Sequence, residues 1–129
     1  MKFKMRENGF ETNVEYGTLI VSGNEQYGFR PYQLLVSSIA VCSGGVLRKV
    51  LTKKRMTYSD IEVTADVTRN ENGAQEIQRI HLHFIITGEN LDEGKVEKSL
   101  DVTRKNCSMV QSVKDSIEIT ESFEIKKQK

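Results

Sequence analysis

The stretch Pro31–Met56 constrains this chain more than any other, because it reads as helix yet carries no charge from Leu34 to Leu47. Pro31 has a fixed φ and no N–H, which suits the first turn of a helix. Beyond it the residues are mostly Leu, Val, Ile and Ala, interrupted by the small Ser37, Ser38, Ser43, Gly44 and Gly45. A helix that is apolar or small on every side is expected to be buried on every side. Charge returns at Arg48, Lys49, Lys53, Lys54 and Arg55, where cations suit the carbonyl end of the macrodipole. At 1.5 Å per residue the element would span roughly 40 Å, the width of a small domain. Its uncharged part is too short and too rich in Ser and Gly for a membrane span. The expectation is a core helix around which the rest of the chain packs. Near its middle stands Cys42, followed by two glycines that each cost about 1 kcal/mol relative to Ala. That cost predicts another backbone, or a ligand, close to Gly44 and Gly45.

At 129 residues the chain fits one domain with a modest core. Its formal charge of +1, from 19 basic and 18 acidic residues, makes no electrostatic case for nucleic acid or an anionic membrane. Met1 to Arg6 alternates apolar with basic and no apolar run follows, so a cytoplasmic location is expected. The two cysteines, Cys42 and Cys107, then read as inert thiols or as a redox pair rather than a permanent bridge.

Hydrophobic periodicity gives the order of elements. Phe3 and Met5 suggest a short strand, Asn8-Gly9 a turn, Phe10 to Tyr16 a second strand, and Thr18 to Ser22 a third. A polar loop, Gly23 to Arg30, leads to the long helix. Ile61, Val63, Ala65 and Val67 then alternate with polar residues, and after an Asn70–Gly73 turn so do Ile80, Leu82, Phe84 and Ile86 within Gln75–Thr87. These form a long hairpin with that second set facing inward. Gly88 ends it. Asp92 or Asn90 caps a second helix that buries Val96 and Leu100. Asn106-Cys107-Ser108 breaks that helix from a short third one carrying Val110 and Val113. Ile117, Ile119, Phe123 and Ile125 make a last strand. The class is α+β, βββ-α-ββ-αα-β, with antiparallel sheets around a long central helix. Helices so apolar on a chain this small call for more cover than one subunit offers, which predicts a homodimer.

Taken alone, Cys42 reads as a small buried hydrophobe. It lies about three turns inside its helix, too far for that N-terminus to lower its pKa, and an apolar setting raises a thiol. A reactive Cys42 therefore needs a cation from another element, with Arg6 and Arg30 as candidates. Cys107 stands at a helix start, where free N–H groups favour a thiolate, so it is expected to be the more acidic thiol; a helix-junction cysteine without a role is equally open. His81 and His83 share one face of a strand and lack the further ligands a metal needs, so they read as polar-face residues. Glu121, in the otherwise apolar set of the last strand, reads either as a buried acid or as the point where that strand passes the edge of the core, with the second preferred. No cofactor or metal site is expected.

Two stretches carry a family resemblance. Pro-x-x-Leu-Leu and the Ala/Ser-rich segment up to Cys42 resemble the long-helix motif of the OsmC/Ohr proteins; Asn106-Cys107-Ser108, before a short helix and a last strand, resembles their second motif. Within that family, IHLHFIITGENL from Ile80 and IEITESFEI from Ile117 are similar to the YhfA-like branch. The resemblance covers nearly the whole chain and implies a single domain over residues 1–129, folded as an intertwined homodimer with sites at the subunit interface. It implies reduction of small apolar hydroperoxides: Cys42 becomes a sulfenic acid, Cys107 condenses with it to a disulfide, and an external thiol reductant resets the pair. It also implies an arginine in the N-terminal strand region, for which Arg6 is nearest. In the peroxidase branches a glutamate after the helix proline holds that arginine; here the place is Tyr32. The alternative reading is a non-catalytic stress-associated protein binding a small apolar ligand at the dimer interface.

Overall fold

The structure, a computed structural model, describes residues 1–127. The chain divides into two compact units, Met1–Ser37 and Ser38–Lys129. The first holds a three-stranded antiparallel sheet of β1 (Lys4–Arg6), β2 (Gly9–Asn13) and β3 (Thr18–Val21), in that order. β2 ends at Asn13, short of the expected Tyr16, because Val14 and Gly17 exchange two backbone hydrogen bonds and turn the chain. Phe29 then returns beside β3, its N–H donating to the Ile20 carbonyl at 2.9 Å. Gly28 permits this approach, since a Cβ there would lie 2.8 Å from the Ile20 oxygen.

The long helix α1 (Pro31–Lys53) begins at the expected proline. It stops before Met56 because Arg55 adopts φ 59°. The Arg55 N–H then reaches the Thr52 carbonyl and the Met56 N–H the Leu51 carbonyl. This pair of bonds closes the last carbonyls, and buried Met56 packs near the terminal turn. The expectation of all-round burial is not met within one chain. The buried residues of α1 are Ile39, Ser43, Leu47 and Leu51, a single stripe of i, i+4 spacing, whereas Val41 is 73% exposed. Among the described residues no backbone closes on the two glycines: a Cβ on Gly44 would make ordinary contact with Val63, and one on Gly45 would meet nothing within 4 Å. The whole helix, unlike its uncharged part, is long and apolar enough to pass for a membrane span; its packed stripe is that of a core helix.

The second unit is built on β4 (Asp60–Arg69), β5 (Ile77–Thr87) and β6 (Glu118–Lys126), with β5 central. β4 and β5 form the expected antiparallel hairpin from Asp60↔Thr87 to Arg69↔Ile77. Its turn runs longer than Asn70–Gly73, because Gln75 takes φ 58° and the Glu76 carboxylate accepts from Asn70. Ile80, Leu82, Phe84 and Ile86 all face inward and are fully buried, joined in the core by Val96, Leu100 and Val110. One expectation is corrected: β6 pairs with β5 in parallel, Arg79↔Glu118 through Thr87↔Lys126. The helices α2 (Glu93–Asn106) and α3 (Ser108–Val113) lie between these strands in sequence and bring the chain back to the starting end of β5, as a crossover must. The opposite sheet face carries a polar ladder: His81 bonds Thr120 and Ser122, and His83 bonds Ser122. The histidines are thus polar-face residues, as expected.

α2 starts where Asp92 accepts a hydrogen bond from the Lys95 N–H at 3.0 Å, a capping contact typically worth about 1 kcal/mol. Its last turn is tied to the sheet by Arg104, which donates to Glu121 at 2.7 Å and to Asp101 at 3.0 Å. Glu121 is therefore a buried acid, its side chain 5% exposed, not the mark of a strand leaving the core. The other carboxylate oxygen has no protein partner among the described residues, so the charge rests heavily on Arg104. Losing a partner from a fully buried pair costs about 3–5 kcal/mol, and Arg104 is half-exposed, so Arg104→Met should destabilise the fold by about 2 kcal/mol. Adding Glu121→Gln should recover part of that loss in urea unfolding; equal stability of Arg104→Met and the wild type would contradict the pairing.

Candidate functional site

The buried stripe of α1 and the junction of α2 with α3 bring the two cysteines together inside the second unit. Cys42 lies beside the stripe and is half-buried; Cys107 is fully buried. Each is followed by a serine, and each serine touches the other segment's sulfur. The Ser43 hydroxyl donates to Cys107 Sγ at 3.4 Å, and the Cys42 Sγ and Ser108 Oγ lie 3.8 Å apart. The two thiols are close enough that each affects the other's acidity.

A helix leaves its first N–H groups without partners inside the helix. Cys107 is the N-cap residue of α3, yet its side chain is buried in the core. The sulfur that approaches the free N–H groups is Cys42, from another helix. The Met109 N–H donates to it and pulls the Cys42 thiol below the ordinary value; partial burial opposes this, while the Cys107 thiol and the Ser108 hydroxyl and N–H add to the lowering. For Cys107 the balance is reversed. Burial pushes the thiol up, the Ser43 hydroxyl and Val110 N–H pull against that, and neighbouring Cys42 raises it further.

This corrects the expected order of acidity. Cys107 does stand at a helix start, but burial outweighs the advantage and the dipole's benefit passes to Cys42. Within the chain, the groups that lower Cys42 are neutral donors of the second unit. Arg6 belongs to the first unit, on β1, with its guanidinium 3.6 Å from Glu11. Arg30 places its guanidinium 4.8 Å from the centre of the Tyr32 ring, a cation–π arrangement at the place of the family's glutamate.

Sequence reading missed Ser43, Ser108 and the Met109 N–H. The repeated Cys-Ser dipeptide and a serine in an otherwise aliphatic i, i+4 stripe were the available signals. Further along α1, Gly45, Arg48, Lys49, Thr52 and Lys53 line an open groove of about 550 Å³ with Tyr58. Among the described residues, no group of three His, Cys, Asp or Glu side chains is arranged to hold a metal.

With the geometry in hand, known proteins can be set beside it. Protein YhfA of Escherichia coli strain K12 is 29% identical over 96 residues, covering 74% of this chain and 72% of YhfA. A solved hypothetical protein from Aquifex aeolicus VF5 superposes with a TM-score of 0.88 at 25% identity, over 99% of this chain and 96% of that one. An organic hydroperoxide resistance protein OsmC from Legionella pneumophila, also described as a predicted redox protein, shares the fold with a TM-score of 0.72 at 17% identity, over 95% of this chain and 93% of that one. The family profile described as OsmC-like protein matches residues 23–122. Two cysteines meeting between a long helix and a helix junction thus sit in a known scaffold: the chain belongs to the OsmC/Ohr family, in its YhfA-like branch.

Proposed function

We propose that the protein is a dithiol redox enzyme that reduces small apolar hydroperoxides, with Cys42 as attacking sulfur and Cys107 as resolving sulfur. The observation that carries this reading is the asymmetry of two thiols crossed by each other's serines: the half-buried one, beside Ser108, is lowered in pKa, and the fully buried one, beside Ser43, is raised. The thiolate is the nucleophile. The Legionella protein's description as a hydroperoxide resistance protein supports the choice of substrate class.

The chemistry balances within the pair. The Cys42 thiolate attacks one peroxide oxygen, the O–O bond breaks, and an alkoxide leaves as Cys42 becomes a sulfenic acid. The alkoxide takes up the Cys107 proton and departs as alcohol. The Cys107 thiolate attacks the Cys42 sulfur, expels hydroxide and closes the disulfide. Two thiols have been oxidised and one peroxide reduced. An external thiol reductant then resets the pair by exchange. Neutral donors replace the arginine in this scheme, consistent with Tyr32 at the glutamate's place.

We also propose a homodimer. Phe3, Met5, Phe10 and Phe29 of the first unit are 51–80% exposed and Val41 on α1 is 73% exposed, and Gly45 meets nothing within 4 Å. Such apolar surface marks an interface. Size exclusion at micromolar concentration should give twice the 14.7 kDa chain mass; a stable monomer would contradict it.

Reduced protein mixed with an organic hydroperoxide should consume one equivalent and form a Cys42–Cys107 disulfide by mass spectrometry. Cys42→Ser should abolish consumption, while Cys107→Ser should still consume peroxide and stop at the sulfenic acid. An unchanged thiol titre in the wild type would remove the enzymatic reading and leave the ligand-binding alternative; equal turnover by Cys42→Ser would remove Cys42 as the attacking sulfur.

A further inference from the structure

Ser43 is the one polar member of the buried α1 stripe and is itself fully buried. A hydroxyl buried in a helix ordinarily bonds back to the carbonyl four residues earlier. That is what the buried Ser99 and Thr103 do, with distances of 2.7 and 2.8 Å to the carbonyls of Lys95 and Ser99. Ser43 has the same option and instead gives its single proton to Cys107 Sγ, across 64 positions of sequence. An aliphatic residue would fill the place with no polar group to satisfy. The hydroxyl therefore matches a need of the sulfur it faces.

That need arises only during the second half of the reaction. Before peroxide arrives, Cys107 is a neutral thiol and needs no help in its apolar surroundings. To close the disulfide it must give up its proton and become an anion where its side chain has no exposure to solvent. A donor already aimed at the sulfur stabilises that anion without any rearrangement.

We propose that Ser43 is the positioning residue of the resolving step: its hydroxyl holds Cys107 Sγ and supports the thiolate that attacks the oxidised Cys42. The proposal rests on the dithiol reading above and adds a division of labour to it. Ser108 and the Met109 N–H serve the attacking sulfur; Ser43 serves the resolving one.

The test separates the two steps in time. Reduced wild type and Ser43→Ala are mixed with tert-butyl hydroperoxide. Sulfenic acid is trapped with dimedone, and disulfide closure is followed by quenched-flow mass spectrometry across pH. Alanine is the best helix former, and circular dichroism verifies the fold. Loss of one hydrogen bond to a charged sulfur should slow closure roughly tenfold, with the pH midpoint of closure moving up by about one unit. Cys42 oxidation should stay within about twofold of wild type, so sulfenic acid accumulates. Ser43→Thr, which keeps the hydroxyl, should recover most of the closure rate. Closure by Ser43→Ala at the wild-type rate and pH midpoint would overturn the proposal, as would equal slowing in Ser43→Thr, which would trace the effect to packing. If wild type forms neither sulfenic acid nor disulfide, the dithiol reading itself fails; if wild type closes normally and only the variant comparison fails, that reading stands and the role of Ser43 does not.

Discussion

The meeting of the Cys42 sulfur with the start of α3, where the Ser108 hydroxyl lies 3.8 Å away and the Met109 N–H lowers the thiol, is the contact on which the chemistry of this fold depends. It joins two problems that each helix has alone. α3 begins with N–H groups its own backbone cannot satisfy, and Cys42 lies too deep in α1 to benefit from that helix's own N-terminus. Setting the sulfur of one helix against the start of the other answers both. The alignment is fixed by apolar packing: Ile39, Leu47 and Leu51 of α1 are buried, and Cys42 occupies the shoulder of their stripe. Hydrocarbon packing therefore sets a thiol's acidity without touching its charge.

The same junction is pinned from the sheet side. Asp92 starts α2, Arg104 ties its last turn to Glu121 on β6, and the Gln111 side chain donates to the Arg104 carbonyl at 2.9 Å. Gln111 also donates from its backbone to the Cys107 carbonyl. The parallel placement of β6 matters here. It obliges the chain to cross over through two helices, and the break between them delivers Cys107 to α1. A simple hairpin after β5 would have supplied no such junction.

Much of this was legible in the residues. Alternation over Ile80, Leu82, Phe84 and Ile86, the Asp92 cap and the break at Asn106–Ser108 are local patterns, and local patterns survive into the fold. The parallel pairing of β6 was not, because Ile117, Ile119, Phe123 and Ile125 alternate in the same way beside a neighbour of either direction; only the two intervening helices distinguish the cases. Glu121 could be read as a buried acid or an edge residue, and the choice needed its partner Arg104, which lies on another element. The acidity order was misread for a deeper reason. A thiol's environment is tertiary: Cys42 meets Ser108 across 66 positions, and nothing in the neighbours of Cys107 says that its side chain faces inward. The serines after each cysteine were visible, but their exchange of partners was not.

Which sulfur ionises first decides the roles of the two cysteines. The measurement that asks this directly is a pH titration of reduced protein labelled with carbon-13 at the cysteine β position, with each signal assigned by the Cys42→Ser and Cys107→Ser variants. The Cys42 signal should move at a pH below that of an ordinary thiol and the Cys107 signal above it, since hydrogen-bond donors favour the anion at the first and burial disfavours it at the second. Cys107 titrating first, or both moving together at the ordinary value, would contradict the account.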